Sequence, residues 1–167
     1  MRNREISSEI LLKTFRYENG KIFRLKSAGR VSAGSEVGSE LPNGYLRTKV
    51  CGVDMYVHRI VWIMHNGEIP FGMHIDHINH NRKDNRIQNL RLVTNGENHK
   101  NTKLYSSNSS GVCGVSFSKR YNKWWARINV DGKFINLGMF DDINSAIEAR
   151  EKAEKFYGFH ENHGRRM

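Results

Sequence analysis

The segment that most constrains the fold of this chain begins with a short predicted strand that carries Asp76 and His77. A polar loop follows at residues 80–86, and a second predicted strand, residues 87–93, carries Asn89. A strand, a polar loop and a second strand in this order predict the first two elements of a β-β-α unit.

The third element is a helix directly after the second strand. Thr94 is followed three residues later by Glu97, which is the spacing of a capping box. Asn98 therefore falls in the first helical turn, where free backbone amides favour negative charge. The unit is expected to bring the Asp-His pair, Asn89 and Asn98 around one point.

These residue types suit phosphodiester hydrolysis. A neutral imidazole can take a proton from water, so His77 is the candidate general base. Carboxylate and carboxamide oxygens suit a hard cation, so Asp76 and Asn98 are the candidate ligands of one Mg²⁺ or Mn²⁺ ion per active site. Because neighbouring strand residues point to opposite faces, Asp76 and His77 can share a site only if the strand bends.

Other histidines in the segment compete for these roles. His99 follows Asn98 directly and is the alternative metal ligand. His74 and Asp76 fall on the same strand face and could pair around a metal, although a solvated surface is the simpler interpretation of both His74 and His80.

The composition points to a polyanionic partner. The chain has 167 residues, a formal net charge of +10 and a pI near 9.8, which is typical of proteins that bind nucleic acid. Its two cysteines, Cys51 and Cys113, form no CxxC pair, so neither structural zinc nor a disulfide framework is expected. No apolar run approaches a membrane span, and a cytoplasmic protein without an obligate protein partner is expected.

Local patterns predict the elements before this unit. They are a helix within 6–14, a hairpin at 15–25 that turns at Asn19-Gly20, an irregular loop at 29–44, strands at 45–50 and 55–57, and a helix at 59–65 that ends at Gly67.

After the polar segment 106–110, which is predicted to be a linker, the pattern changes to three strands and a helix. The strands are expected at 114–119, 123–130 and 133–140, with a turn at Asp131-Gly132, and Asp142 can cap a helix that stops at Gly158.

Alternation in these strands separates two faces of the predicted sheet. Trp124, Ala126, Ile128 and Val130 share the face expected to pack on the helix, and Ile135, Leu137 and Met139 share a face of the third strand. Residues 111–140 contain five lysines or arginines and one acid, Asp131. A basic sheet face opposite the helix favours docking in the major groove of DNA.

The segment Val57 to Asn98 resembles the HNH endonucleases of phages and mobile introns, and the resemblance extends over roughly the first 105 residues. It implies that Asp76 and Asn98 bind one divalent ion, that His77 is the base, and that Asn89 is structural and pins the loop that orients His77. It also places Arg59 near DNA phosphate. Many members of the family have a histidine in place of Asn98.

Residues 111 to 158 resemble an AP2 domain through Gly114-Val115, Lys123-Trp124, Ala126, Ile128, Leu137-Gly138, Phe140, Ala146 and Ala149. This resemblance implies DNA contacts by Ser116, Ser118, Lys119, Arg120, Lys123, Trp125, Arg127, Asn129, Lys133 and Asn136. Ser116 and Ser118 stand where plant members often carry arginine, so weaker base reading is expected.

The sequence thus predicts an α+β protein with two domains. An HNH ββα-metal nuclease domain is expected at 1–105, with its core at about 73–104, followed by a linker at 106–110. An AP2-like three-stranded antiparallel sheet packed on one helix is expected at 111–160. The expected function is metal-dependent cleavage of double-stranded DNA, with a homing or nicking role. The alternative is a DNA-binding regulator with an inactive nuclease fold.

Overall fold

The computed structural model describes residues 6–104 and 106–164. The chain divides into two compact units, the first ending at Val93 and the second beginning at Thr94. Among the described residues, no helix combines the length and apolar character that crossing a membrane requires.

The first unit begins with a helix and a hairpin. Helix α1 (Ser8–Thr14) starts at Ser7, whose side chain accepts a hydrogen bond from the backbone N–H of Ile10. Strands β1 (Phe15–Glu18) and β2 (Lys21–Arg24) pair in antiparallel fashion around the turn at Asn19-Gly20. The predicted helix and hairpin are confirmed.

The prediction of an irregular loop at 29–44 was wrong in part. The two-residue strand β3 (Glu36–Val37) pairs with β2, and the equally short β4 (Ser39–Glu40) pairs with β5 (Leu46–Val50). Strands of this length are set by their partners and are too short to show a period in the sequence.

Strand β5 continues through a tight turn into β6 (Val53–Tyr56) and helix α2 (Val57–Asn66). Both elements begin two residues before their predicted starts, and α2 ends at Gly67 as predicted. Val53 and Asp54 are exposed, which explains why no apolar pattern marked this end of the strand.

The central hairpin consists of β7 (His74–His77) and β8 (Leu90–Val93), paired antiparallel. The second strand is shorter than predicted, because residues Ile87–Asn89 form a 3₁₀ turn and Asn89 precedes the strand. The hairpin and the two helices enclose one core, whose buried members are Leu11, Phe15, Ile22, Val50, Val57, Ile60, Val61, Ile63, Ile75 and Leu90.

The second unit opens with α3 (Asn95–His99). The Thr94 hydroxyl accepts from the Glu97 N–H at 3.2 Å, and the Glu97 carboxylate accepts from the Thr94 N–H at 2.8 Å, so the predicted capping box is present. Residues after this helix bond to the C-terminal end of the chain: Lys100 Nζ donates to the Tyr157 carbonyl at 3.0 Å. These contacts explain why the boundary between the two units lies before the polar segment 106–110. Within that segment, Ser110 Oγ donates to the Val115 carbonyl at 2.7 Å.

The remainder of the second unit is an antiparallel sheet packed on a helix. Strands β9 (Val115–Ser118), β10 (Lys123–Val130) and β11 (Lys133–Phe140) form the sheet in the order β11-β10-β9, and Asp142 caps α4 (Ile143–Phe156). Val115, Ala126 and Ala146 are the buried centre of the packing between sheet and helix.

Met139 lies on the face of the sheet opposite to the predicted one. The register between β10 and β11 shifts between Ala126 and Arg127, where a β-bulge forms, and Gly138 has a φ of +130°. Because the extra residue reverses the alternation, Leu137 and Phe140 pack in the core while Met139 is 37% exposed. The prediction that Met139 shares a face with Leu137 was therefore wrong.

Candidate active site

His77 is the last residue of β7 and lies inside the first unit, with 3% of its surface exposed. Its ring centroid is 5.8 Å from that of Tyr45 and 5.1 Å from that of His58. Burial lowers the pKa of His77 below the usual 6.5, although its hydrogen bond to the Asn85 Oδ1 and the nearby Asp76 carboxylate oppose this shift. The imidazole is therefore neutral at neutral pH, which is the form that can accept a proton.

Asn85 contacts His77 directly, and the sequence analysis did not identify it. Its Oδ1 lies 3.0 Å from His77 Nε2, and its Nδ2 donates to the Lys83 carbonyl at 3.3 Å. Asn85 is 1% exposed. An asparagine in a polar loop is typical of a turn residue, so its sequence position carried no signal of this contact.

Asn89 holds the two ends of the loop together. Its Nδ2 donates to Asn79 Oδ1 at 2.9 Å and to the Asp84 carbonyl at 2.8 Å, and its Oδ1 accepts from the Asn79 N–H at 3.0 Å. Asn89 itself is buried. These contacts thus run to the loop that follows His77.

A second set of contacts fixes the loop from within. The Asp84 carboxylate accepts from Arg86 Nε at 2.7 Å, from Arg86 Nη2 at 2.6 Å and from Asn79 Nδ2 at 2.8 Å. The Arg86 hydrogen bond is the main reason that the pKa of Asp84 is lowered to about 2. Asp84 therefore stays ionised and keeps these contacts over the physiological pH range.

Asp76 lies opposite Arg91 in the hairpin. Arg91 donates to Asp76 Oδ2 from Nε at 3.0 Å and from Nη2 at 2.9 Å. The register between β7 and β8 is regular from His74 to His77, so Asp76 and His77 lie on opposite faces of the hairpin. The bend that would bring both to one face is not seen in β7.

The donor set gives a limited fit to a divalent cation. Asp76 supplies carboxylate oxygen and Asn98, which is half-buried in α3, supplies a carboxamide oxygen. A hard cation such as Mg²⁺ keeps several waters and needs few protein ligands, so these two donors suit it in kind. Within residues 6–104 and 106–164, no three His, Cys, Asp or Glu side chains are grouped to hold a metal.

The other histidines of the segment lie apart from the core. His74 begins β7 and is exposed, and His99 ends α3 and is exposed. His80 is half-buried with a φ of +62° in the loop.

His58, at the start of α2, is a buried imidazole that packs against the candidate base. It is 7% exposed, its ring stacks on Tyr56 at 5.4 Å, and its Nδ1 has no hydrogen-bond partner among the residues the structure describes. Burial, with smaller effects of His77 and Arg59, lowers the pKa of His58 to about 3. Arg59 follows it in a helical turn that has no acidic residue.

In the second unit, the sheet face opposite α4 carries a row of polar and aromatic side chains. Trp125 Nε1 donates to Asn136 Oδ1 at 2.8 Å, and the Arg127 guanidinium lies 5.2 Å from the Trp125 ring centroid and 5.7 Å from that of Phe134. Phe134 is 72% exposed and was not among the predicted contacts. Phe134 pairs with Asn129 in the hairpin, which places it on the sheet face opposite α4.

The remaining predicted contacts lie around this face. Ser116 is paired with Trp125, and Ser118 is paired with Lys123. Lys123 Nζ forms an ion pair with Asp141 at 3.0 Å. The residues exposed on turns and strands are Lys119, Arg120, Asn129 and Lys133.

Comparison with known proteins finds a family match for one segment of the chain. A family model described as HNH endonuclease matches residues 55–100, which include Asp76, His77, Asn89 and Asn98. Protein 3.8 of Escherichia phage T7 is 42% identical over 80 residues, which is 48% of this chain and 66% of the phage protein. An uncharacterized HNH endonuclease, L560, of Acanthamoeba polyphaga mimivirus is 41% identical over 104 residues, which is 62% of this chain and 49% of the viral protein.

The chain thus spans about half to two thirds of the length of these relatives. A solved structure titled for DNA binding and cleavage by the HNH homing endonuclease I-HmuI aligns over 91% of this chain and 88% of that chain, with 23% identity and a TM-score of 0.44. Residues 55–100 of this chain are similar to the HNH endonuclease family.

Proposed function

We propose that the protein is a metal-dependent endonuclease that hydrolyses phosphodiester bonds of double-stranded DNA. The observation that carries the proposal is His77, a neutral imidazole held by Asn85 within the segment that matches the HNH endonuclease family. Acting as general base, His77 would accept the proton of the attacking water.

Asp76 and Asn98 are the proposed ligands of one divalent cation, Mg²⁺ or Mn²⁺. When bound, such an ion stabilises the negative charge that develops on the phosphate and on the leaving oxygen. Arg91 fixes the Asp76 carboxylate through two hydrogen bonds. Asn89 is proposed as a structural residue, because its side chain joins the loop that carries Asn85 to the strand that follows.

The second proposed element is a DNA-binding surface on the sheet of the second unit, with Arg59 as a further phosphate contact. We assign an HNH nuclease domain to residues 1–105 and an AP2-like DNA-binding domain to 111–160, joined at 106–110. The proposed contacts are Ser116, Ser118, Lys119, Arg120, Lys123, Trp125, Arg127, Asn129, Lys133 and Asn136. Arginine and lysine contacts to phosphate would position the duplex, and polar side chains on the sheet face would read base edges.

A DNA-binding regulator with an inactive nuclease fold is the second candidate. It is favoured by one observation: Asp76 and His77 lie on opposite faces of the hairpin, and Arg91 already occupies Asp76 Oδ2. The two candidates differ in whether the bound duplex is cut.

Supercoiled plasmid DNA provides the test. Wild-type protein incubated with Mg²⁺ is expected to produce nicked or linear DNA, and EDTA is expected to stop the reaction. Asp76→Ala and Asn98→Ala should each lower the rate about 100-fold or more, and His99→Ala should leave it close to that of the wild type. DNA that is bound but not cut at any Mg²⁺ or Mn²⁺ concentration supports the regulator.

A nicking or homing role is part of the same proposal. A nicking enzyme converts supercoiled plasmid to the open-circle form without a linear product. Cleavage confined to one short site in a long DNA would support the homing role.

A further inference from the structure

We propose that Asn85 is a positioning residue that determines which nitrogen of His77 accepts the proton. This inference rests on the proposed role of His77 as general base. Asn85 makes its contact with the imidazole and is not itself placed at the reacting atoms.

The direction of the hydrogen bond follows from the chemistry of the two groups. The Asn85 Oδ1 lies 3.0 Å from His77 Nε2, and an amide oxygen can only accept. In a neutral imidazole the nitrogen that donates carries the hydrogen, so Nε2 is protonated and the lone pair lies on Nδ1. Nδ1 is therefore the nitrogen that can take a proton from water.

The orientation of the Asn85 amide is itself fixed by a second contact. Its Nδ2 donates to the Lys83 carbonyl at 3.3 Å. Rotating the amide by half a turn would place Oδ1 against that carbonyl, where two acceptors would face each other, and Nδ2 against the imidazole. In the observed orientation, both Oδ1 and Nδ2 of this side chain, which is 1% exposed, have a hydrogen-bond partner.

The loop that carries Asn85 is held from two sides. On one side, Asn89 Nδ2 donates to the carbonyl of Asp84, the residue directly before Asn85. On the other, the β1–β2 hairpin touches the residues directly after it: Tyr17 Oη accepts from the Ile87 N–H at 3.1 Å. Because the backbone is fixed on both sides, the carboxamide is placed before substrate arrives, which is what precise proton transfer requires.

The alternative is that Asn85 serves only to satisfy a buried loop. A structural asparagine would affect stability when replaced, but the tautomer of His77 would not depend on it. The tautomer is therefore the property to measure, and it can be measured without metal, DNA or activity.

The experiment uses the full-length, metal-free protein labelled with ¹⁵N, and a long-range ¹H–¹⁵N correlation spectrum that distinguishes the two neutral imidazole tautomers. Wild-type His77 is expected as the Nε2–H form above its pKa. A spectrum showing the Nδ1–H form would overturn the proposal, and this result needs no variant.

Asn85→Leu removes the acceptor while keeping the branching and the number of heavy atoms of the side chain. Asn81→Leu makes the same chemical change at an exposed position of the same loop, where Asn81 Oδ1 accepts from the Lys83 N–H at 3.1 Å. In Asn85→Leu, His77 is expected to populate both tautomers, and the rate of the DNA-cleavage step should fall about 10- to 100-fold with little change in KM. Asn81→Leu should keep the wild-type tautomer and rate.

An Asn85→Leu protein that keeps the Nε2–H form and the wild-type rate would overturn the proposal. If Asn85→Leu does not fold, the wild-type spectrum still tests the proposal, because the Nδ1–H form would overturn it. If the wild-type protein does not cut DNA, the proposed function fails, while the spectrum still tests whether Asn85 sets the tautomer.

Discussion

At the scale of single residues, the first unit depends on two imidazoles that are buried in the neutral form. His58 and His77 lie with ring centroids 5.1 Å apart, and burial is the largest cause of the lowered pKa of both. Protonating either ring would place a charge in the core, so the packing that favours a neutral base also makes the fold sensitive to acid.

The stability of the protein is therefore predicted to fall between about pH 6.5 and pH 3. In the unfolded chain His58 takes up a proton as the pH drops below 6.5, whereas in the folded protein its pKa is about 3. The unfolded state thus binds more protons in this window, and the free energy of unfolding should decrease by up to about 1.4 kcal/mol per pH unit from this residue.

Urea unfolding of wild type and His58→Phe at several pH values measures this contribution. The variant keeps an aromatic ring but has no titrating group, so its stability should depend less on pH over the window. His74→Phe, at an exposed position, should behave like the wild type. Equal pH dependence in wild type and His58→Phe would show that His58 does not contribute.

At the scale of elements, the β1–β2 hairpin supports the loop of the candidate site. Gly20 at its turn has a φ of +87°, and a Cβ there would lie 2.9 Å from the Arg86 backbone nitrogen and 3.2 Å from the Asn85 carbonyl carbon. Glycine is needed for two reasons, the left-handed backbone and the close approach to a neighbouring chain segment.

Gly20→Ala is accordingly predicted to displace the loop at Asn85. The variant should lose more stability than Gly29→Ala, a matched control that has a φ of +59° and no atom within 4 Å of its added Cβ. Left-handed strain is common to both substitutions, at about 1 kcal/mol. The additional loss of stability in Gly20→Ala therefore measures the cost of the close approach to Arg86 and Asn85. Thermal unfolding and the DNA-cleavage rate measure it, and equal losses in the two variants would contradict the proposed support.

The sheet of the second unit gives a separate prediction about DNA. If about five phosphates are neutralised, the logarithm of the binding constant should fall with the logarithm of salt concentration at a slope of about −4 to −5. Arg127→Ala should weaken binding and, if this guanidinium contacts phosphate, make the slope shallower by about 1. Binding titrations at several salt concentrations check this.

Lys152 provides the control for charge. It lies exposed on α4, on the helix side of the unit, where it pairs with Glu148. Lys152→Ala removes one positive charge, as Arg127→Ala does, but should leave the slope unchanged. If the salt dependence of binding becomes equally shallow in both variants, net charge, and not the sheet face, determines binding.

At the scale of the whole molecule, local patterns predicted the elements better than the contacts between them. The Asn19-Gly20 turn, the capping box at Thr94 and the alternation of Ala126 and Ile128 within β10 are encoded within a few residues, and each is present. The short strands β3 and β4 and the bulge beside Arg127 depend on pairing partners elsewhere in the chain, so no local period marked them.

The candidate site shows the same limit. His77 and Asn89 could be selected from the sequence because their residue types fit a known chemistry. The contact between Asn85 and His77, and that between Gly20 and the loop, join residues that no spacing rule connects, and the second spans more than sixty positions. Only the folded chain brings these groups together.

The most direct test of the account is the single-turnover rate of duplex DNA cleavage by His77→Ala beside the wild type, at saturating Mg²⁺. Loss of the general base should lower the rate about 10²- to 10⁴-fold, while DNA binding, measured in the same preparation, stays within a few-fold of the wild type. Equal cleavage rates would contradict the assignment of His77 as the base.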